Sequence, residues 1–286
     1  MREECKMFAM LDYCPQVFLA LGIFLFPSPK KGECMKLITN IMTDFARFGA
    51  LMVIILLTFA IAYLFEKIAK IKQGDNTRVL DVRKLAIIGV FSAIAFGLML
   101  FEFPLPFAPS FYEFDFSDIP ALIGGFAAGP LAAVMIEFIK VLMNLIFQGT
   151  NTAFVGEIAN FVVGAAFVLP ATIIYRFKKT RKTAFLGCLC GALCITVTGS
   201  LLNAYFLLPT FAAMWGSGID TFIGMGAEIN PAINNLLTFC LFAVAPFNLL
   251  KGVVDSIVTF LVYKKLSPIL KHGFNKPAQN NNKKEA

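Results

Sequence analysis

Basic residues are missing from two long stretches of this chain, and that constrains what it can fold into. Between Glu102 and Tyr175 the only Lys or Arg is Lys140, and between Thr183 and Tyr263 the only one is Lys251. Around those stretches the bases gather at the ends of apolar runs: Lys67, Lys70, Lys72, Arg78, Arg83 and Lys84; then Arg176, Lys178, Lys179, Arg181 and Lys182; then Lys264, Lys265 and Lys271. Basic connections alternate with connections that carry no base. This is the pattern of a multispan membrane protein whose basic loops lie in the cytoplasm. The chain is 58% apolar, with several runs near or above the roughly 18 residues that cross a bilayer as a helix. The net charge of +7 fits contact with anionic headgroups at those helix ends, not nucleic acid, because the bases do not share one face.

The runs predict one N-terminal helix, Ala46 to Phe65, followed by six more. The six cover about Leu85–Phe101, Pro120–Ala128, Leu131–Phe147, Val155–Tyr175, Ala184–Leu208 and Pro246–Tyr263. The boundaries divide the chain into an N-terminal segment 1–35, the extra helix and basic linker 36–80, a membrane domain 81–270 and a polar tail 271–286, expected to be disordered. Val17–Phe26 is apolar but short and bracketed by prolines, which suits an interfacial or signal-like segment better than a span. Ser117 or Asp118 can cap the short helix, and Gly129-Pro130 makes a tight turn after it. Glu102–Ser117 is a loop stiffened by Pro104, Pro106 and Pro109. A long outer segment is expected over Pro209–Ala245.

A charge inside an apolar run is expensive, so Lys140 and Lys251 are candidate functional residues. Asn248 and Lys251 share a helix face just after Pro246 and together offer a donor, an acceptor and a charge. The alternative is a structural pair between Lys251 and Asp255, four residues on, and spacing alone leaves both open. Asn203 is a buried amide that needs partners, and an interhelical hydrogen bond satisfies it as well as a ligand does. Glu157 and Asn160 open a helix, where the macrodipole already favours an acid. Glu137 and Lys140, three apart, are expected to neutralise one another or to snorkel to opposite interfaces. Gly89, Ala93 and Gly97 form a small-residue stripe suited to close helix contact. Cys188, Cys190 and Cys194 lack zinc spacing and read as small buried apolar residues. His272 sits in the tail. There is no Walker A, HExxH or GxSxG motif, and no cluster of carboxylates is expected at one depth. These residues offer a binding pocket more readily than a reaction.

Three motifs, in order, resemble a known family. They are Phe114-Asp115-Phe116-Ser117-Asp118-Ile119-Pro120-Ala121-Leu122-Ile123-Gly124-Gly125-Phe126 with Gly129-Pro130, then Gly156-Glu157-x-x-Asn160-Phe161, then Pro246-Phe247-Asn248-x-x-Lys251-Gly252. The stretch from about Val82 to Leu270 resembles the riboflavin-specific S component of energy-coupling factor (ECF) vitamin transporters. The resemblance implies an all-α integral membrane protein: a six-transmembrane-helix S-component core plus one extra N-terminal transmembrane helix. It implies a subunit in the plasma membrane, with its C-terminus in the cytoplasm, that captures riboflavin outside. Release inside is driven with a transmembrane coupling subunit and two cytoplasmic ATPases. No enzyme activity and no cofactor are implied beyond riboflavin as cargo. The family's flavin-contacting amide and Asn-Lys pair match Asn203, Asn248 and Lys251. The loop Leu105–Tyr112, with Leu105, Phe107 and Tyr112, would line or cover the pocket. Glu157 and Asn160 would face the ligand. Gly89 and Ala93 stand where the family docks its coupling subunit. Aromatic rings can stack on the isoalloxazine, and amides and a Lys suit its imide and carbonyl edges. The alternatives are an S component for another vitamin, a solitary secondary transporter coupled to ions through Asp255 or Glu137, and an intramembrane enzyme.

Overall fold

The computed structural model describes residues 31–75, 78–150, 152 and 154–274. The expected segment at residues 17–26 and the tail beyond 274 lie outside the described residues. The chain divides into two compact units, Met1–Ile54 and Ile55–Ala286. Described residues 31–54 of the first are helical.

Among the described residues the protein is all-α apart from one short ribbon. Its elements are α1 (Lys31–Lys72), α2 (Val82–Met99), β1 (Phe103–Pro104), β2 (Glu113–Phe114), α3 (Asp118–Ala128), α4 (Pro130–Gln148), α5 (Val155–Phe177), α6 (Arg181–Leu202), α7 (Leu208–Met214), α8 (Ile219–Ile229), α9 (Leu236–Phe239) and α10 (Ala245–Phe274). Among the described residues, six helical stretches are long and apolar enough to cross a membrane: Leu51–Lys72, Val82–Met99, Pro130–Gln148, Val155–Phe177, Arg181–Met214 and Leu236–Tyr263. The seventh, α3, has 11 residues. Apolar side chains such as Val90, Leu193, Val197 and Ile257 are exposed along these helices, as expected of a surface that faces lipid. Caps mark several starts. Asp81 Oδ1 accepts from Lys84 N at 2.8 Å to open α2, and Thr180 and Thr183 form a reciprocal capping box at α6.

The structure moves two of the expected helix ends. The fifth core span does not stop at Leu208, nor does the last one start at Pro246. Each runs on through a π-helical turn, Asn203–Leu207 and Cys240–Val244, and each turn lies just before a proline, Pro209 or Pro246. A proline inside a helix loses one hydrogen bond and clashes with the carbonyl four residues back. A widened π turn there accommodates it without breaking the helix. The combined span Arg181–Met214 has 34 residues, about 51 Å of helix, well beyond the hydrocarbon thickness. Much of the expected outer segment is therefore helical extension plus α8. It has a core of its own, in which Leu208, Phe222, Phe239 and Val244 pack with Phe111 and Tyr112.

Glycines set the closest approaches. A Cβ on Gly191 would sit 2.5 Å from Phe167 O, and one on Gly187 2.6 Å from Ala171 O, so α5 and α6 meet backbone to backbone. A Cβ on Gly252 would lie 2.9 Å from Ala192 Cα, which brings α10 against α6. The second half of α1 joins this packing. Ile55 and Ala62 pack with Leu131, Val134, Phe161 and Ala165. The Phe59 ring stacks on Phe161 at 6.0 Å and meets Phe138 edge-on at 5.5 Å.

At the basic end of the helices lies an acid that local patterning does not reveal. Glu66 of α1 is fully buried, with Lys84 Nζ at 2.7 Å and Arg176 at 3.2 Å. Gln73 exchanges hydrogen bonds with Arg176. The carboxylate lies against Gly129, which holds φ +106° and whose Cβ would fall 2.0 Å from Glu66 Oε2. The Gly129-Pro130 turn thus has an acid seated on it.

Candidate functional site

At the other end of α2 and α5 the helices and the Pro-rich loop enclose a cavity of about 350 Å³. α10 contributes Asn248 and Lys251, the first π turn Asn203, the loop Tyr112 and Asp115, and α5 Glu157 and Asn160. Six of the expected ligand residues therefore share one cavity. Leu105 and Phe107 do not. Leu105 lines a separate recess of about 480 Å³ with Pro106, Met225 and Glu228, and Phe107 is exposed. The cause is local. β1 and β2 pair with Phe103 opposite Phe114 and Pro104 opposite Glu113, which carries the loop tip away and leaves Tyr112 and Asp115, either side of β2, at the cavity. Gly89 and Ala93 are exposed on α2, and a Cβ on Gly89 would meet nothing within 4 Å.

The two amides are held in the same way. Asn203 Nδ2 donates to Gly199 O at 2.8 Å, and Asn248 Nδ2 to Val244 O at 2.9 Å. Each bonds a carbonyl four residues back beside a π turn. The Tyr112 hydroxyl donates to Asn203 Oδ1 at 2.5 Å. Asn248 also packs on Gly199, where a Cβ would fall 2.8 Å from its Cγ. Both amides are thus oriented within the protein, and each keeps hydrogen-bonding capacity toward the cavity. Glu157 Oε2 accepts from Thr152 Oγ1 at 3.1 Å. Phe111, Phe211 and Phe247 supply aromatic wall.

The ion pairs differ from the spacing-based reading. Lys251 does not pair with Asp255. Its Nζ donates to Asp115 Oδ2 at 2.8 Å and lies 3.6 Å from Asp118 Oδ2. The loop folds back over the cavity, and a contact 136 residues away in sequence outcompetes the local one. Asp255 is buried, and neither carboxylate oxygen has a hydrogen-bond partner among the described residues. Lys140 does pair with Glu137, at 2.7 Å, and both are fully buried, so neither snorkels. Lys140 also bonds Asp118 and donates to Ser117 Oγ at 2.8 Å. Ser117 therefore makes no side-chain cap for α3, because its hydroxyl serves the lysine. Four buried carboxylates, Asp115, Asp118, Glu137 and Asp255, surround two buried lysines. That corrects the expectation of no carboxylate cluster. Asp115, Asp118 and Lys140 are residues that spacing alone did not place near the cavity. Two acids set among the apolar residues of Phe114–Ile119 were the available signal.

Charge also shapes the loop. Burial alone would raise Asp115, but the Lys251 and Lys140 ammoniums outweigh it and hold the carboxyl well below the usual range. Glu102, at the rim, is pushed up to about 7 by burial and then by the neighbouring Glu113. Burial raises the Tyr112 phenol, which keeps it a neutral donor to Asn203.

Residues 83–263 match the family model described as ECF transporter, substrate-specific component. The chain is 36% identical over 189 residues to the riboflavin transporter RibU of Staphylococcus aureus (strain TCH60), covering 66% of this chain and 93% of that protein. It is 34% identical over 192 residues to the riboflavin transporter FmnP of Bacillus subtilis (strain 168), covering 66% and 94%. A solved structure of the S component of a bacterial ECF transporter superposes with a TM-score of 0.52 at 35% identity, covering 66% of this chain and 98% of that one.

Proposed function

Because the chain belongs to the substrate-specific components of ECF transporters, a multi-pass membrane family of transport subunits and not of enzymes, we propose that its cavity binds riboflavin for uptake. Relatives at 34–36% identity are named riboflavin transporters. The observation that carries the reading is the convergence of Asn203, Asn248 and Lys251 on one cavity with an aromatic wall. A flavin presents a flat apolar face to such rings and an imide with two carbonyls to such amides and a lysine. The ribityl hydroxyls need acceptors, which Glu157 and Asn160 supply. The oriented amides cost little entropy on binding.

In this reading the subunit sits in the plasma membrane with its C-terminus in the cytoplasm, beneath the basic connections. It passes its cargo inward with a transmembrane coupling subunit and two ATPases. Gly89 and Ala93 offer that subunit a face on which a partner helix can approach closely. Residues 81–270 act as the binding domain, with residues 36–80 as an addition to it.

The test is riboflavin titration, by fluorescence quenching, of Asn248→Ala and Lys251→Ala in detergent. Each is expected to weaken binding by more than tenfold while the protein stays folded. Wild-type affinity in both would remove these residues from the site.

A further inference from the structure

A buried ammonium at a cavity wall has to be balanced from within the protein. Four buried acids are available to Lys251, and geometry separates them. Asp115 Oδ2 accepts from its Nζ at 2.8 Å, and Asp118 Oδ2 stands at 3.6 Å. Glu137 is engaged with Lys140. The carboxylate of Asp255, on Lys251's own helix, makes no hydrogen bond to it or to any other described residue. The two acids that serve Lys251 come from elsewhere: Asp115 just after β2, and Asp118 as the first residue of α3.

Both are themselves fixed. Ser117 N donates to Asp115 Oδ1 at 2.7 Å. Lys140, from α4, bonds the Ser117 hydroxyl and the Asp118 carboxylate. A connected path of bonds therefore runs from α4 through the start of α3 to Asp115, and from there to the Lys251 ammonium on α10. An ammonium has three donors. One goes to Asp115, which leaves others for an acceptor in the cavity.

We infer that Asp115 is a positioning residue for the ligand: it holds the Lys251 ammonium charged and in one place on the cavity wall. This rests on the reading of Lys251 as a ligand donor. A free lysine side chain has several rotatable bonds, and fixing them costs conformational entropy. With Asp115 in place, that ordering is done before the ligand arrives. Asp118 adds a second anion near the ammonium, and Lys140 keeps Asp118 and Ser117 in place. Asp255, the acid that helix spacing would nominate, makes no side-chain hydrogen bond that could hold the ammonium in place.

The experiment is a double-mutant cycle read by riboflavin quenching on the full chain: wild type, Asp115→Asn, Lys251→Ala and both together. Asp115→Asn is expected to weaken binding about tenfold in the wild-type background and to change it less than twofold once Lys251 is Ala. Asp255→Asn is expected to stay within twofold of wild type. The inference is overturned by wild-type affinity in Asp115→Asn while Lys251→Ala is weak. An equal tenfold loss in both backgrounds also overturns it, since Asp115 would then touch the ligand directly or support the fold. Wild-type affinity in Lys251→Ala removes the reading of Lys251 as a donor, and this inference with it. If Asp115→Asn does not yield folded protein, Asp115→Glu carries the cycle, because it keeps the anion and displaces it by one methylene. Its loss is expected to be smaller and again to vanish beside Lys251→Ala. A loss that persists there contradicts the inference.

Discussion

At the scale of single residues, the cavity is built from groups whose hydrogen bonds are partly spent on their own helices. Asn203 and Asn248 each give one N–H to a carbonyl four residues back, and Lys251 gives one to Asp115. These commitments orient the groups and leave the remainder for a ligand. The motif Pro246-Phe247-Asn248-x-x-Lys251 made the pair on α10 legible in the sequence, because i and i+3 share a helix face. Asp115 was not legible as the partner of Lys251, since nothing local says that a loop will fold across to a helix 136 residues on. Glu102 gives a pH prediction at this scale. Its carboxyl is pushed up to about 7 by burial and by Glu113, above an unfolded value of about 4.3. The folded state then holds a proton that the unfolded state has lost. The stability this contributes is fully present below about pH 4 and is lost as pH rises through 7. Melting temperature in detergent should fall between pH 5 and 8, and Glu102→Gln should flatten that fall. An unchanged slope in the variant would assign the effect to another group.

At the scale of elements, the number and order of the core helices were readable from charge segregation and apolar run length. Their ends near the cavity were not. Pro209 and Pro246 stand at the expected span ends, yet both sit inside continuous helices because a π turn precedes each. The same turns place Asn203 and Asn248 at the wall. The added helix α1 is the other element whose role is tertiary. Glu66 meets Lys84 and Arg176, 18 and 110 residues away, whereas its i, i+4 spacing points only to Lys70. Removing one partner of a buried ion cluster leaves charge uncompensated, at a cost of about 3–5 kcal/mol. Glu66→Ala should therefore lower the melting temperature by several degrees. Because this cluster lies at the basic end of the helices, riboflavin affinity should stay within twofold. An unchanged melting temperature would mean that α1 adds nothing to the stability of the core.

At the scale of the whole molecule, the same segregation of charge that marks the spans also divides the protein's work. The basic end carries Glu66, Lys84 and Arg176 in a locked cluster, together with the exposed bases of the connections. The opposite end carries a cavity whose charge is balanced internally by Asp115 and Asp118. Between them, α5, α6 and α10 touch through glycines at backbone distance, a rigid frame for a site that must bind without a reaction. Such a frame suits a chain that binds riboflavin on its own, as a subunit. The measurement that tests it most directly is fluorescence titration of riboflavin with the purified full chain, without any partner. Tight quenching that saturates at one riboflavin per chain is the expected result. Absence of quenching by folded protein would contradict it and reassign the cavity to another ligand.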